Sequence, residues 1–61
     1  MSYYFVDYEI YVGKDIVTWG NIIFNSPESD IVKIYDDAVH RVMDRHNVSD
    51  DMVRFRQFSR V

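Results

Sequence analysis

The chain has 61 residues, of which 48% are hydrophobic and 28% are charged, and its formal net charge is −3. This composition excludes a disordered or low-complexity chain, and the length corresponds to one domain. The chain has no cysteine, which excludes disulfide cross-links, and no Cys/His cluster indicates a structural zinc. A domain this short buries only about 60% of the surface of its unfolded chain, which favours self-association.

The first predicted element is a β-hairpin with strands over about residues 2–12 and 16–25. Two runs rich in aromatic and β-branched residues flank Gly13, Lys14 and Asp15, and this pattern is typical of a hairpin. Side chains alternate between the two faces of a strand, and one face of the first strand carries no charge. We predict that this face packs in the core; its residues are Tyr4, Val6, Tyr8, Ile10 and Val12.

Two loop lengths are compatible with this hairpin, and they give different registers. A two-residue loop at 13–14 puts Tyr8 opposite Trp19 and buries Asn21 beside Val6. A three-residue loop at 13–15 keeps the core face free of amides and charges, and a change of one residue turns every side chain of the second strand over. We therefore predict the longer loop, with the pairs Val12–Ile16, Ile10–Thr18, Tyr8–Gly20, Val6–Ile22 and Tyr4–Phe24.

Residues 27–46 are predicted to form an amphipathic helix of about four to five turns. Ser26 followed by Pro27 fits an N-cap and the first helical position, and Ser29 is a second candidate cap. Asn47 fits the left-handed residue that ends a helix. The apolar stripe repeats at spacings of three and four residues and consists of Ile31, Ile34, Tyr35, Ala38, Val39, Val42 and Met43.

The segment over about residues 52–60 is predicted to form a third strand, because apolar residues and arginines alternate along it. A short helix opened by Ser49 is the alternative. In the strand, Val53 and Phe55 are predicted to point inward. The residues predicted to point outward are Arg54, Arg56, Phe58 and Arg60.

Together these elements predict an α+β domain of ββαβ connectivity, in which one helix packs on one face of a three-stranded antiparallel sheet. With the third strand beside the first, the strand order is 2-1-3. This order brings Arg54 and Arg56 close to Asp7 and Glu9. Opposite charges on neighbouring strands contribute roughly 0.2–1 kcal/mol per pair.

One helix covers only one side of such a sheet, so the other face is predicted to stay partly open. The residues predicted to bind a partner there are Tyr3, Phe5, Tyr11, Trp19, Arg54 and Arg56. Aromatic residues and arginine with few lysines are typical of protein–protein interfaces. The same residue types stack on bases, so a single-stranded nucleic-acid-binding protein is the alternative, although Asp7 and Glu9 would repel phosphates. A third interpretation is that the aromatic rings only protect the sheet surface.

His40 lies one helical turn from Asp36 and from Asp44. Such a stripe suits a metal ion, but it also fits a solvated face with local charge pairs, which is the interpretation we prefer. The chain has no cysteine and no glycine-rich phosphate loop, and its serines fit cap, terminal or strand-edge positions. We therefore predict no enzyme activity, no catalytic residue, no cofactor, no metal and no small-molecule substrate.

The start of the chain lacks a basic segment followed by an apolar one, and no apolar run reaches the ~18–20 residues of a membrane span. The expected location is therefore cytoplasmic, without membrane contact.

Three segments together resemble small accessory proteins of bacteriophages and other mobile elements. They are the aromatic opening 3–8, the tripeptide 19–21 and the closing strand 53–58. This resemblance spans most of the chain, and it implies a protein that acts by binding another macromolecule, with no catalytic residue to transfer. We expect a non-enzymatic protein-interaction module that forms a homodimer or docks to a protein partner.

Overall fold

The computed structural model describes residues 2–61, which form three strands, one α-helix and one 3₁₀ turn. Strand β1 lies between β2 and β3 and is antiparallel to both. The predicted ββαβ fold, with one helix and a three-stranded antiparallel sheet of order β2-β1-β3, is confirmed. The elements are β1 (Ser2–Val12), β2 (Asp15–Ser26), α1 (Ile31–His46), the 3₁₀ turn (Asp50–Met52) and β3 (Val53–Arg60).

The turn between β1 and β2 has two residues, Gly13 and Lys14, and not the predicted three. Gly13 has a φ of 62°, which is the left-handed conformation that a type II′ turn requires at its first central residue. Glycine adopts it without steric cost because it has no Cβ atom. Val12 therefore pairs with Asp15, and the predicted pair of Val12 with Ile16 is wrong. Val12 is also exposed beside the turn, so the prediction that it packs in the core is wrong.

A β-bulge at Val17 restores the predicted register beyond the turn. Ile16 pairs with Tyr11 and Thr18 pairs with Ile10, so Val17 is an extra residue on β2. This extra residue offsets the shorter turn, which would otherwise have turned every following side chain of β2 over. Ile16 itself lies opposite Tyr11 and is exposed, away from the core face on which it was predicted. The remaining predicted pairs are confirmed: Ile10–Thr18, Tyr8–Gly20, Val6–Ile22 and Tyr4–Phe24.

The hydrophobic core lies between α1 and the face of the sheet formed by alternate residues of β1. The helix contributes Ile34, Ala38 and Val42, whose spacing of four residues places them on one stripe. Fully burying one large aliphatic side chain contributes roughly 1.5–3 kcal/mol, so this layer dominates the stability of so small a domain. The buried residues of the sheet are Tyr4, Val6, Tyr8, Ile10 and Phe24.

The helix begins at Ile31, later than the predicted residue 27. Ser26 is the last residue of β2, so it cannot also be the cap of a helix that follows at once; its Oγ accepts a hydrogen bond from the Glu28 amide at 3.2 Å. Asp30 is the N-cap, because its Oδ1 accepts a hydrogen bond from the Val32 amide at 2.9 Å. The prediction of Ser26 or Ser29 as the cap is therefore wrong.

The C-terminal end of the helix is as predicted. Asn47 has φ 54° and ψ 53°, in the left-handed region, and its amide donates to the Met43 carbonyl. The predicted apolar stripe is less buried at the N-terminal end of the helix, where Ile31 and Tyr35 are exposed.

The third strand contains a β-bulge at Arg56, since Phe55 pairs with Tyr8 whereas Gln57 pairs with Asp7. Before the bulge the strand follows the prediction, with Phe55 packed against the core. Only a single 3₁₀ turn precedes β3, and residues 53–60 form a strand. The strand interpretation of this segment is therefore correct.

Beyond this bulge the alternation is reversed, and the prediction that Phe58 points outward is wrong. Phe58 pairs with Val6 and packs on the helix side of the sheet. Its ring centroid lies 5.8 Å from that of Tyr4 and 5.7 Å from that of Tyr35. Arg60 likewise lies opposite Tyr4, although its side chain is exposed at the end of the strand.

The C-terminal end of the helix is tied to the sheet by a hydrogen bond between the Tyr8 hydroxyl and His46 Nε2, 2.6 Å apart. The Tyr8 side chain, only 1% exposed, passes over Gly20 on the neighbouring strand. A Cβ atom at Gly20 would lie 2.8 Å from the Tyr8 hydroxyl oxygen and 3.0 Å from its Cζ. The prediction that Gly20 leaves room for the ring is confirmed.

Gly20→Ala is expected to destabilise the domain by about 1–3 kcal/mol, because the buried Tyr8 ring must move and weaken its bond to His46. Chemical unfolding followed by circular dichroism measures the change. Gln57→Ala, at an exposed position of β3, is the control and should stay within about 0.5 kcal/mol of the wild type. An unchanged unfolding midpoint for Gly20→Ala would contradict the close contact.

Candidate functional site

The face of the sheet turned away from α1 carries all the residues predicted to bind a partner, and we call it the open face. Because cross-strand partners share a face, the pairing defines its members. They are residues 3, 5, 7, 9 and 11 of β1, residues 16, 19, 21, 23 and 25 of β2, and residues 54, 57 and 59 of β3. The bulge residue Arg56 lies on the same face, beside Asp7 and Glu9. No helix covers this face within residues 2–61.

Large apolar side chains are exposed on the open face. Trp19 is 69% exposed, Ile23 is 64% exposed and Tyr3 is 55% exposed. Phe5 and Tyr11 are half-buried because they lie on the central strand, between side chains of two neighbouring strands. Several large exposed apolar side chains on one sheet face mark a candidate interaction surface.

The apolar part of the open face is divided into two clusters. The first cluster consists of Tyr3, Phe5 and Ile23, in which Phe5 pairs with Ile23. The second cluster consists of Tyr11, Ile16 and Trp19, in which Tyr11 pairs with Ile16 and Trp19 pairs with Glu9.

A polar row separates the two clusters and crosses all three strands. It consists of Asn21, Asp7 and Gln57, which are cross-strand neighbours. Trp19 and Ile23 lie on opposite sides of this row, roughly 13 Å apart along β2. The six predicted binding residues thus share one face, but within one chain they do not form a single continuous apolar patch.

The carboxylates of the open face are balanced by an arginine of β3. The Nε of Arg56 lies 4.0 Å from Asp7 Oδ2 and 3.9 Å from Glu9 Oε1. The bulge at Arg56 directs this side chain toward both carboxylates. The carboxylates are within its reach because β3 lies beside β1, as the predicted strand order has it. Exposed pairs of this length contribute only about 0–1 kcal/mol, so their main effect is to neutralise the centre of the open face.

The second arginine, Arg54, has a different partner. It pairs with Glu9 across the strands, but its guanidinium carbon lies 4.9 Å from the centroid of the Tyr11 ring. This is cation–π geometry, worth roughly 0.5–1 kcal/mol at an exposed site. The contact places a planar cation beside the second cluster.

Two features of the open face were not predicted as part of the site. Ile16 joins the second cluster only because of the bulge at Val17, and the sequence carries no separate signal for that bulge. Ile23 lies in the predicted open-face alternation, and its 64% exposure makes it as prominent as Trp19. Once the register is known, the alternation of side chains along each strand is enough to show that a polar row separates the two apolar clusters.

The predicted charge stripe of the helix lies on its outer surface. His40 Nδ1 donates to the Asp36 carbonyl oxygen at 2.8 Å and lies 3.8 Å from Asp36 Oδ2. No group of three or more His, Cys, Asp or Glu side chains suited to a metal ion occurs among residues 2–61, and no pocket opens in that part of the chain. The pKa of His40 is raised above 6.5, chiefly by the hydrogen bond to the Asp36 carbonyl and then by the Asp36 carboxylate.

Comparison with protein-family models, with curated proteins and with solved structures finds no match for this chain. Within residues 2–61, no helix is both long enough and apolar enough to cross a membrane. The open face is therefore the candidate functional site of this chain.

Trp19→Ala is expected to change the free energy of unfolding of the monomer by no more than about 0.5 kcal/mol, because the side chain is exposed. Ile10→Ala, which empties a position only 1% exposed, is expected to cost about 2–5 kcal/mol. Urea unfolding of dilute samples gives both values. A loss for Trp19→Ala as large as that for Ile10→Ala would show that Trp19 belongs to the core.

Asp36→Asn is expected to lower the pKa of His40 part of the way to its ordinary value, because the carboxylate is removed while the carbonyl bond remains. The raised pKa means that protonated His40 stabilises the folded chain; this contribution is complete below pH 6.5 and is lost as the pH rises through the folded-state pKa. NMR titration of the imidazole measures the pKa of His40 in the wild type and in each variant. Asp37→Asn is the matched control and should shift the pKa less; equal shifts for the two variants would refute the assignment.

Proposed function

We propose that this chain is a non-enzymatic protein-interaction module that contacts a protein partner, in the first place a second copy of itself, through the open face. The observation that supports this most directly is the exposure of Trp19 and Ile23 on a face that the helix does not reach. Burial of these side chains against a partner would contribute about 25 cal/mol of binding free energy per Å² of apolar surface removed from water.

The chemistry of the open face supports a protein partner. Tryptophan, tyrosine and arginine are the residue types that most often dominate the binding energy of protein interfaces. Here Trp19, Tyr11 and Arg54 lie together at one end of the face, and Arg54 is already oriented by the Tyr11 ring. Orienting an arginine before binding reduces the conformational entropy lost on association.

The alternative is a protein that binds single-stranded nucleic acid, in which the exposed rings would stack on bases. Two observations favour the protein partner over it. Asp7 and Glu9 lie on the central strand of the open face, and their nearby arginine cation, Arg56, is occupied by these carboxylates. The formal net charge of −3 also opposes the approach of a phosphate backbone. The accessory role in bacteriophages or other mobile elements that the sequence resemblance implies is compatible with either partner.

The proposal is tested by sedimentation equilibrium of the wild type, Trp19→Ala and Val32→Ala. Val32 is the matched control, because it is 72% exposed but lies on the helix, away from the open face. Loss of an interface anchor costs about 2 kcal/mol or more, and a symmetric dimer loses this anchor from both copies, so Trp19→Ala should weaken self-association on the order of 1,000-fold, whereas Val32→Ala should have no effect. Equal weakening by both variants, or a wild type that remains monomeric at millimolar concentration, would contradict the proposal.

The alternative function is tested by titrating the chain with single-stranded DNA and RNA at two salt concentrations while monitoring Trp19 fluorescence. The protein-partner proposal predicts no saturable quenching. Tight quenching that weakens steeply with salt would favour the nucleic-acid-binding function, because counterion release makes such binding salt-dependent.

A further inference from the structure

The outer edge of β2 is free in the monomer. β1 is the central strand, and within residues 2–61 no strand pairs with the other side of β2. A free strand edge presents a row of unpaired amide and carbonyl groups, which a further strand can bind.

The backbone groups that point outward from β2 can be identified from one hydrogen bond. The Val61 amide donates to the Tyr3 carbonyl at 2.8 Å, so Tyr3 directs its backbone groups toward β3. Along a strand this direction alternates, so the even-numbered residues of β1, and with them their partners on β2, bond across the β1–β2 ladder. The β2 residues that direct their amide and carbonyl groups outward are therefore Trp19, Asn21, Ile23 and Asn25.

The two edges of the sheet differ in charge. β3 carries three arginines, Arg54, Arg56 and Arg60, which oppose the approach of another copy of the same edge. Between Ile16 and Ser26, β2 carries no charged residue and no proline. Two β2 edges can therefore approach each other without electrostatic repulsion, and a strongly charged partner strand would find no opposite charge there.

We propose that a second copy of the chain pairs with the first along β2, antiparallel, with the two-fold axis at Asn21, to form a continuous six-stranded sheet. This inference rests on the proposed self-association and specifies its geometry. The axis at Asn21 places Trp19 opposite Ile23 of the partner copy and the two Asn21 residues opposite each other. Apolar side chains then face apolar ones, and amide faces amide.

This arrangement also removes the division of the open face. A two-fold axis perpendicular to the sheet keeps the open faces of both copies on the same side. The second cluster of one copy then lies beside the first cluster of the other, because Trp19 adjoins the partner's Ile23. The two apolar clusters that are separate in one chain become continuous across the interface, at two places related by the two-fold axis.

The proposed sheet leaves room for both helices. Each helix packs on the core face of its own sheet, where it contacts β3 as well as side chains of β1. The two copies of β1 would be separated by three strand spacings, or about 14 Å. Two packed helices need only about 8–10 Å. The paired region, residues 18–24, is symmetric about Asn21 and roughly 23 Å long, so with the Trp19 and Ile23 contacts the interface is at the small end of the range of stable interfaces, which begins at about 1,200 Å² in total. Association is accordingly expected at micromolar concentration.

The geometry is tested by cysteine cross-linking, for which the chain is well suited because it contains no cysteine. In Asn21→Cys the two thiols face each other across the axis, with Cα atoms about 5.5 Å apart, which is within the range of a disulfide. We expect this variant to form a disulfide-linked dimer under mild oxidation at micromolar concentration. Asn25→Cys on the same strand, with its copies roughly 26 Å apart, and Gln57→Cys on the same face of β3 are the controls and should remain monomeric on a non-reducing gel.

A second measurement does not depend on disulfide formation. Asn21→Lys and Asn21→Asp should each weaken self-association by roughly fivefold or more, because like charges meet at the axis. An equimolar mixture of the two variants should recover the affinity of the wild type as a heterodimer. Circular dichroism of each dilute variant checks that the fold is retained.

The outcomes separate this inference from the proposed function. If the wild type self-associates but Asn25→Cys or Gln57→Cys cross-links as fast as Asn21→Cys, or the charge variants fail to recover on mixing, the edge pairing is wrong while open-face association stands. If the wild type stays monomeric at all concentrations and Asn21→Cys does not cross-link, self-association itself fails. Selective cross-linking at Asn21 with recovery in the mixture supports both.

Discussion

The packing of α1 on the central strand β1 is the interaction on which the rest of this structure depends. Val6, Tyr8 and Ile10 are almost fully buried because they have neighbouring strands on both sides and the helix above them. Alternation along the strand then sends the intervening side chains to the opposite face, on which residues 2–61 form no second layer. The same contact that builds the core therefore creates the open face, and neither can be changed without the other.

Two β-bulges adjust the edge strands to this central strand. The bulge at Val17 reconciles the two-residue turn with a register in which Gly20 lies under the Tyr8 ring. The bulge at Arg56 brings Phe58 to the helix side and at the same time directs the Arg56 guanidinium to the carboxylates of the open face. Each bulge thus affects the core and the candidate site together, since an extra residue changes the face of everything that follows it.

The functional proposals depend on an asymmetry between the two edges and on the polar row of the open face. Arg54 and Arg56 of β3 contact Tyr11, Asp7 and Glu9 within the chain, whereas the edge of β2 offers uncharged side chains and free backbone groups. A surface divided by a polar row within one chain becomes continuous when two copies pair along β2. The proposed edge pairing therefore accounts for the free strand edge and for the exposed Trp19 and Ile23 side chains beside it, and it leaves the rings of the central strand on an uncovered face.

The sequence by itself determined the element types, the strand order and both faces of the central strand, because period-two and period-3.6 patterns depend on which side chains avoid water. It also identified Trp19 and Phe5 as residues of the uncovered face and Gly20 as the partner of Tyr8. Only the tertiary structure decided the bulges, the true helix cap at Asp30 and the faces of Ile16 and Phe58. A bulge leaves no local signal, since its stability comes from contacts with distant residues such as Tyr4 and Asp7, which are assembled only when the strands pair.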